Sequence, residues 1–188
     1  MPALFARSSN TLYRLAIAGA VGTLTAAICA PMIYIRTAYG GDVGDQIEQP
    51  IAFDHRHHVR DDGIDCVYCH DTVETSEEAG LPSTERCMGC HGQVWPDSPE
   101  LALLRANFAT HQPVTWKRVT AVPAHVYFHH GVHVHAGVAC EECHGQIEDM
   151  PRVARAYRLT MNFCVDCHRQ RSGSRAIGRL TTCSTCHR

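Results

Sequence analysis

The stretch Cys66-Val67-Tyr68-Cys69-His70 decides the fold, because it is one of five copies of the pattern C-x-x-C-H. The copies are numbered motifs 1 to 5 in chain order. Their cysteine pairs are Cys66 and Cys69, Cys87 and Cys90, Cys140 and Cys143, Cys164 and Cys167, and Cys183 and Cys186, and their histidines are His70, His91, His144, His168 and His187. This pattern is the attachment signature of c-type haem. Both thiols bond to one haem, and the adjacent histidine becomes a ligand of its iron. The sequence therefore predicts five covalently attached haem c groups.

Two other uses of the cysteines fit less well. The chain has 188 residues with 11 cysteines and 14 histidines, and ten of the cysteines lie in the motifs. A disulfide framework does not require a histidine after every pair. Zinc sites need four ligands, and five cysteine pairs cannot combine two by two. The formal net charge of -2 argues against a nucleic-acid partner.

A membrane anchor is predicted at the N-terminus. The chain is apolar and uncharged from Leu15 to Ile35, which suits a transmembrane helix of roughly 20 residues. The alternative is a cleaved signal peptide, but the apolar run exceeds the usual length, and Pro31 follows the most favourable cleavage position. Arg7 and Arg14 precede the run, which places the N-terminus in the cytoplasm. We therefore expect a single-pass protein of the cytoplasmic membrane with its haem domain in the periplasm.

A histidine pair precedes motifs 1 and 3 in two similar segments. The first reads Phe53-x-His55-x-x-His58 and the second Phe128-x-His130-x-x-His133, each followed by G-[IV]-x-C-x-x-C-H. The repeated unit is thus a histidine pair with two haem motifs. The predicted division is a cytoplasmic stub and transmembrane anchor (1–36), a linker (37–52), a first two-haem repeat (53–91), a connector (92–127), a second two-haem repeat (128–168) and a C-terminal segment with motif 5 (169–188). We expect a mostly irregular, small-α multihaem cytochrome c whose haems form the core, with a short helix at Pro99–Asn107.

The histidine pairs supply candidate distal ligands. His55, His58, His130 and His133 are predicted to bind four irons, and the first histidine of each pair is expected to serve the motif that follows it. For the fifth iron we favour Met161, because the matching residue of the first repeat is Thr84. The alternatives for that position are His125, His111 and His57. Three histidines, His57, His129 and His135, fall outside the histidine-pair pattern and are expected at the surface or beside haem propionates.

The last 38 residues are rich in arginine. Their acidic residue is Asp166, and their arginines are Arg152, Arg155, Arg158, Arg169, Arg171, Arg175, Arg179 and Arg188. Pairing with haem propionates is the favoured explanation, since arginine binds carboxylates in a bidentate manner. Docking of an acidic partner is the alternative.

Taken together, these motifs resemble the pentahaem cytochrome subunit of alternative complex III. The resemblance rests on the apolar helix, the two histidine-pair units, the run Thr84-Glu85-Arg86-Cys87-Met88-Gly89-Cys90-His91 and the M-x-x-C-x-x-C-H pattern from Met161 to His168. It spans residues 50–169. Class III multihaem cytochromes share the histidine-pair units.

The resemblance implies electron transfer within a respiratory or photosynthetic quinol:acceptor complex, toward a periplasmic cytochrome c or an oxidase. Implied partners are an iron–sulfur subunit, polytopic quinone-site subunits and a monohaem cytochrome c. If histidine or methionine ligands fill every iron, no position is left for a substrate. This predicts an electron-transfer subunit that is not itself an enzyme. The alternative is a stand-alone membrane-anchored quinol dehydrogenase that serves a periplasmic reductase.

Overall fold

The apolar N-terminal stretch forms one long helix, α1, at Ser9–Tyr34. In a computed structural model of the chain, residues 8–37, 39–171, 173 and 178–187 are described. The helix begins before the predicted stretch and includes Arg14, and it is long and apolar enough to cross a membrane. The predicted stub before Ser8, which includes Arg7, lies outside the described residues. The same holds for Arg175 and Arg188. The chain divides after Asp42, within the predicted linker, into two units.

The unit that begins at Val43 consists of short helices joined by loops. Its α-helices are α2 (Cys66–Cys69), α3 (Thr84–His91), α4 (Ala102–Ala109), α5 (His130–His135), α6 (Glu141–His144), α7 (Met161–Arg171) and α8 (Cys183–Cys186). Tighter turns lie at Tyr39–Gly41 in the first unit and at Pro99–Leu101 and Ile147–Asp149 in the second. Strand-like pairing in the described ranges is limited to two isolated β-bridges, Val43 with Arg155 and Gln46 with Ala154. A mostly helical and irregular fold is therefore confirmed.

The cysteine pairs are placed by short helical turns. Two residues three positions apart share one face of a helix, so both thiols of a motif point to the same side. The side chain of Asp65 caps α2 by accepting a hydrogen bond from the Val67 amide at 3.0 Å. Ser83 caps α3 in the same way through the Arg86 amide at 3.3 Å. Local capping thus fixes the direction of the thiols.

In the first histidine pair, His55 directly precedes a π-helical turn at Arg56–Asp61 that contains His58, whereas both histidines of the second pair lie in α5. The first repeat has one more residue than the second between its histidine pair and its motif. A π turn accommodates one extra residue without moving the flanking segments. Both segments then end at a glycine with positive φ, +69° at Gly63 and +72° at Gly137, where a side chain would be strained.

Few side chains are buried by other protein atoms. The buried hydrophobic residues in the described part of the chain are Ile51, Val73, Leu104 and Val114. Three of them form a cluster beside α4, against which Cys87, Met88, Leu101 and Trp116 pack. A protein core this small leaves most of the fold to be organised by something other than apolar side chains.

Candidate haem-binding site

The ten motif cysteines are free thiols, and none is fully buried. Four are exposed, at Cys66, Cys90, Cys140 and Cys183, and six are partly exposed, at Cys69, Cys87, Cys143, Cys164, Cys167 and Cys186. Partial burial raises the pKa of the Cys143 thiol, and the nearby Cys167 and Cys164 raise it further. Every predicted attachment cysteine is therefore unpaired by a disulfide and available for a thioether bond.

The motif histidines are held in one orientation by backbone carbonyls. In four of the five, Nδ1 donates a hydrogen bond to a carbonyl oxygen, as His70 does to Gly80 at 2.7 Å, His91 to Val94 at 3.1 Å, His168 to Leu180 at 2.9 Å and His187 to His125 at 3.1 Å. A donating Nδ1 leaves the lone pair on Nε2, which is then free to bind a metal. The fold therefore prepares these rings as ligands.

Three histidines of the repeat pairs are held in the same way. Nδ1 of His58 donates to the Asp54 carbonyl at 3.0 Å, Nδ1 of His130 to Glu77 at 2.6 Å and Nδ1 of His133 to His129 at 2.8 Å. Two of these carbonyls are local, four residues upstream, but that of Glu77 lies in the loop after motif 1. These three distal histidines and the four motif histidines above thus share one tautomer, with Nε2 as the available nitrogen. The Nδ1 atom of His55 is instead buried without a hydrogen-bond partner.

Four of the five motif histidines have the ring of a second histidine beside them. The ring centroids are 6.1 Å apart for His58 and His91, 6.3 Å for His130 and His144, 6.1 Å for His133 and His168 and 5.6 Å for His125 and His187. His70 is an electrostatic neighbour of His55. The structure therefore brings the first histidine of each repeat pair to the following motif, and the second to the motif after it.

The spacing of these rings suits a metal between them. An imidazole nitrogen binds a first-row metal at about 2.0–2.1 Å, so two rings bound from opposite sides have centroids roughly 6 Å apart. The four measured separations, 5.6–6.3 Å, match that value. Two thiols accompany each pair, so the residues present fit bis-histidine haem c.

Burial keeps two of these rings neutral. Desolvation lowers the pKa of His55 to about 4, and the nearby His70 and His58 lower it further in the same direction. Burial also lowers the pKa of His144, with His130 and His70 as additional causes. Since only the neutral imidazole has a lone pair for a metal, the environment favours the binding form of both residues.

One phenylalanine separates the two distal histidines of each repeat. The Phe53 ring lies edge-on to His55 at 4.8 Å and stacks on His58 at 4.4 Å. The Phe128 ring repeats this arrangement, edge-on to His130 at 4.8 Å and stacked on His133 at 4.5 Å. The Phe that begins each histidine-pair segment is therefore a positioning residue, a role that the sequence pattern alone did not identify.

The structure sets His125, and not Met161, against the fifth motif. The Tyr127 amide donates to the Cys186 carbonyl at 2.7 Å, and the His125 carbonyl accepts from His187 Nδ1. These bonds tie the segment before the second histidine pair to motif 5. Met161 lies at the start of α7 with 67% of its surface exposed. The structure therefore places His125, one of the alternatives for the fifth iron, beside motif 5 through contacts between residues 62 positions apart. The favoured candidate, Met161, stays a prediction.

The other spare histidines lie away from the motif rings. Nδ1 of His57 contacts a carboxylate oxygen of Asp61 at 3.0 Å, and its side chain is 66% exposed. His135 ends α5 with an exposed side chain, and His111 follows α4 with φ of +52°. His129 is partly buried, and its Nδ1 has no hydrogen-bond partner. None of these four rings is stacked with a motif histidine in the described part of the chain.

Removing the phenylalanine ring is expected to disturb the two haems of one repeat. Each aromatic contact contributes about 0.5–1.5 kcal/mol, so Phe128→Ala should loosen His130 and His133 together. We expect altered low-spin electron paramagnetic resonance signals from two haems, those of motifs 3 and 4. Phe53→Ala should instead alter those of motifs 1 and 2.

Phe108→Ala on α4 is the matched control, since no histidine ring contact is described for it. A Phe128→Ala protein with five unchanged signals would show that the ring has no positioning role.

Two comparisons with known proteins concern the chain that carries these motifs. The family described as cytochrome c7 and related cytochrome c matches residues 126–188, which contain the second histidine pair and motifs 3, 4 and 5. The chain is also similar to the menaquinone reductase multiheme cytochrome c subunit of Nitratidesulfovibrio vulgaris strain Hildenborough. The two are 30% identical over 164 residues, which cover 76% of this chain and 78% of that protein. Both similarities are to cytochromes c, as the attachment motifs predict.

Proposed function

Because this chain belongs to the multihaem c-type cytochromes, we propose that it is a pentahaem electron-transfer subunit of a membrane quinol oxidoreductase complex. When bound, each haem supplies a one-electron iron couple. The chain's own residues attach the groups, fix both axial positions and hold them near one another. In this role the chain would resemble the pentahaem cytochrome subunit of alternative complex III. Electrons would pass from quinol toward a periplasmic cytochrome c or an oxidase.

The pairing of every motif histidine with a second histidine carries this proposal. We assign the five axial pairs as His70 with His55, His91 with His58, His144 with His130, His168 with His133 and His187 with His125. A pair of imidazoles closes both axial positions of an iron, so no position remains for a substrate. An iron with protein ligands on both sides would be suited to electron transfer. Bis-histidine ligation generally gives a lower reduction potential than histidine–methionine ligation.

The N-terminal helix supports membrane attachment. We propose that α1 spans the cytoplasmic membrane once, with its N-terminus in the cytoplasm and Val43 onward in the periplasm. Its described side chains are almost all exposed and mostly apolar, as a lipid-facing helix requires. The proposed partners are an iron–sulfur subunit, polytopic quinone-site subunits and a monohaem cytochrome c.

A second candidate differs in the direction of electron flow. The similar protein is named as a subunit of a menaquinone reductase, which favours delivery of electrons to a quinone rather than removal from a quinol. Both candidates require the same attachment motifs and axial pairs. They differ in which partner donates electrons and which partner accepts them.

Isolation of the native complex tests the proposal. A tag after Arg188 would allow purification from membranes in mild detergent, followed by mass spectrometry of the subunits. We expect five haems on this chain, several co-purifying membrane subunits and quinol oxidation by the complex. The purified chain alone should be low-spin and should not oxidise quinol.

Three outcomes would contradict parts of the proposal. Rapid quinol oxidation by the isolated chain would contradict the pure relay role. Purification without any partner would favour the stand-alone dehydrogenase. Reduction of menaquinone by the complex with a periplasmic donor, without the reverse reaction, would select the second candidate.

A further inference from the structure

We infer that the five haem sites follow one another in space in the order motif 2, motif 1, motif 3, motif 4 and motif 5. The sites of motifs 2 and 5 are then the two ends, where electrons are exchanged with partners, one accepted for each one released. This inference rests on the proposed electron-transfer function and deepens it. The order differs from that of the chain, in which motif 1 would be an end.

Motifs 1 and 2 are direct neighbours. Phe53 contacts the distal histidines of both sites, His55 and His58, on two sides of a single ring. Arg86 at the start of motif 2 pairs with Asp71 directly after motif 1 at 2.7 Å. The same guanidinium lies 4.8 Å above the Tyr68 ring inside motif 1. These contacts place the two sites side by side.

Motif 1 is also joined to motif 3, through the loop that follows it. The Glu77 carbonyl accepts hydrogen bonds from both the amide and Nδ1 of His130, at 3.2 and 2.6 Å. The Ser76 carbonyl accepts from the Gly131 amide at 3.1 Å. A side chain on Gly131 would meet the Glu74 carbonyl at 2.5 Å, so the approach needs glycine. The loop after motif 1 therefore holds the distal ligand of motif 3.

The attachment residues of motifs 1 and 3 lie close together as well. The Cys66 thiol has the Cys140 thiol as an electrostatic neighbour. The His144 ring has His70 as an electrostatic neighbour. No comparable contact between motif 2 and motif 3 is found among the described residues. Motif 1 therefore has two neighbouring sites, whereas motif 2 has one.

Motifs 3 and 4 repeat the arrangement of motifs 1 and 2. Phe128 separates their distal histidines, His130 and His133. Arg171 at the end of α7 bonds Glu142 inside motif 3 at 2.5 Å. Both thiols of motif 4, those of Cys167 and Cys164, are electrostatic neighbours of the Cys143 thiol of motif 3. Motif 4 thus lies beside motif 3.

Motif 5 follows motif 4 at the far end. The Leu180 carbonyl, three residues before motif 5, accepts from His168 Nδ1 at 2.9 Å. The Cys164 thiol has Cys186 as an electrostatic neighbour. At the opposite end, the ring of His91 lies 6.4 Å from that of Trp95, which is 68% exposed. The described contacts therefore join motif 5 to motif 4 and motif 2 to motif 1.

The redox potentials of the haems test this order. Replacing a distal histidine with methionine raises the potential of one haem. An oxidised site carries one more positive charge than a reduced one, and this charge acts most strongly on the nearest neighbours. We expect His55→Met to shift two other haems, at motifs 2 and 3. His58→Met should shift only one, at motif 1.

The measurement is a potentiometric titration of the full-length holoprotein in detergent, with each haem followed by the nuclear magnetic resonance signals of its methyl groups. His57→Met is the matched control, since that exposed side chain lies between the two ligands and should shift none. Two shifted neighbours for His58→Met and one for His55→Met would overturn the inference and select the chain order.

A second pair of variants keeps the test decisive where methionine does not bind. Cys66→Ala/Cys69→Ala removes the haem of motif 1 and should shift two of the remaining haems. Cys87→Ala/Cys90→Ala removes the haem of motif 2 and should shift the potential of one remaining haem. One shifted haem for the first variant and two for the second would overturn the order. No quinone or partner is present in these measurements, so their outcome is separate from that of the complex purification.

Discussion

A chain produced without haem attachment is expected to stay unfolded from Val43 onward. Its described buried hydrophobic side chains are Ile51, Val73, Leu104 and Val114. Full burial of such a side chain is worth about 1.5–3 kcal/mol, whereas ordering the backbone costs about 1–2 kcal/mol for each residue. Over more than a hundred residues that cost is on the order of 100 kcal/mol. The protein atoms alone therefore cannot stabilise the fold.

The measurement compares the chain secreted in cells with and without the cytochrome c attachment apparatus. We expect the haem-free chain to lose residues 43–188 to brief trypsin treatment and to show no cooperative thermal transition, as in other metal-dependent folds. The detergent-bound α1 should survive as a helix. Cys183→Ala/Cys186→Ala, which removes only the haem at one end, is the control and should leave the rest protease-resistant. A cooperative transition in the haem-free chain would contradict this expectation.

Replacing His125 with alanine is expected to convert one haem of five from low to high spin. Nothing else in the described structure stacks on the His187 ring at this site, so the iron would lose its sixth ligand. About one fifth of the low-spin signal should disappear in electron paramagnetic resonance, with a high-spin signal in its place. Added imidazole should restore the low-spin state in a His125→Gly protein, because the vacated space fits the free ring.

Met161→Leu is the matched control for this experiment. Its side chain is mostly exposed at the start of α7, so all five haems should remain low-spin. Loss of one low-spin haem in Met161→Leu, with none lost in His125→Ala, would return the assignment to Met161. Five unchanged haems in both variants would direct the search to His57 and His111.

The attachment motifs and the motif that each first repeat histidine is predicted to serve follow from local sequence patterns. The motifs that lie beside His58 and His133 do not. A cysteine pair, its histidine and a preceding histidine pair lie within a short stretch, so their spacing survives folding. The extra residue before motif 1 is visible in the sequence, but its effect is not. Only the backbone shows that a π turn at Arg56–Asp61 absorbs it.

The sequence by itself determined the haem chemistry, the mostly helical and irregular class and the apolar N-terminal helix. Each of these depends on residues that are neighbours in the chain. The tertiary structure decided that His125 faces His187 and that the loop after motif 1 bonds His130. These results depend on hydrogen bonds between residues that lie more than 50 positions apart. Such bonds leave no spacing pattern in the sequence, because the loops between them set the separation in the chain but not in space.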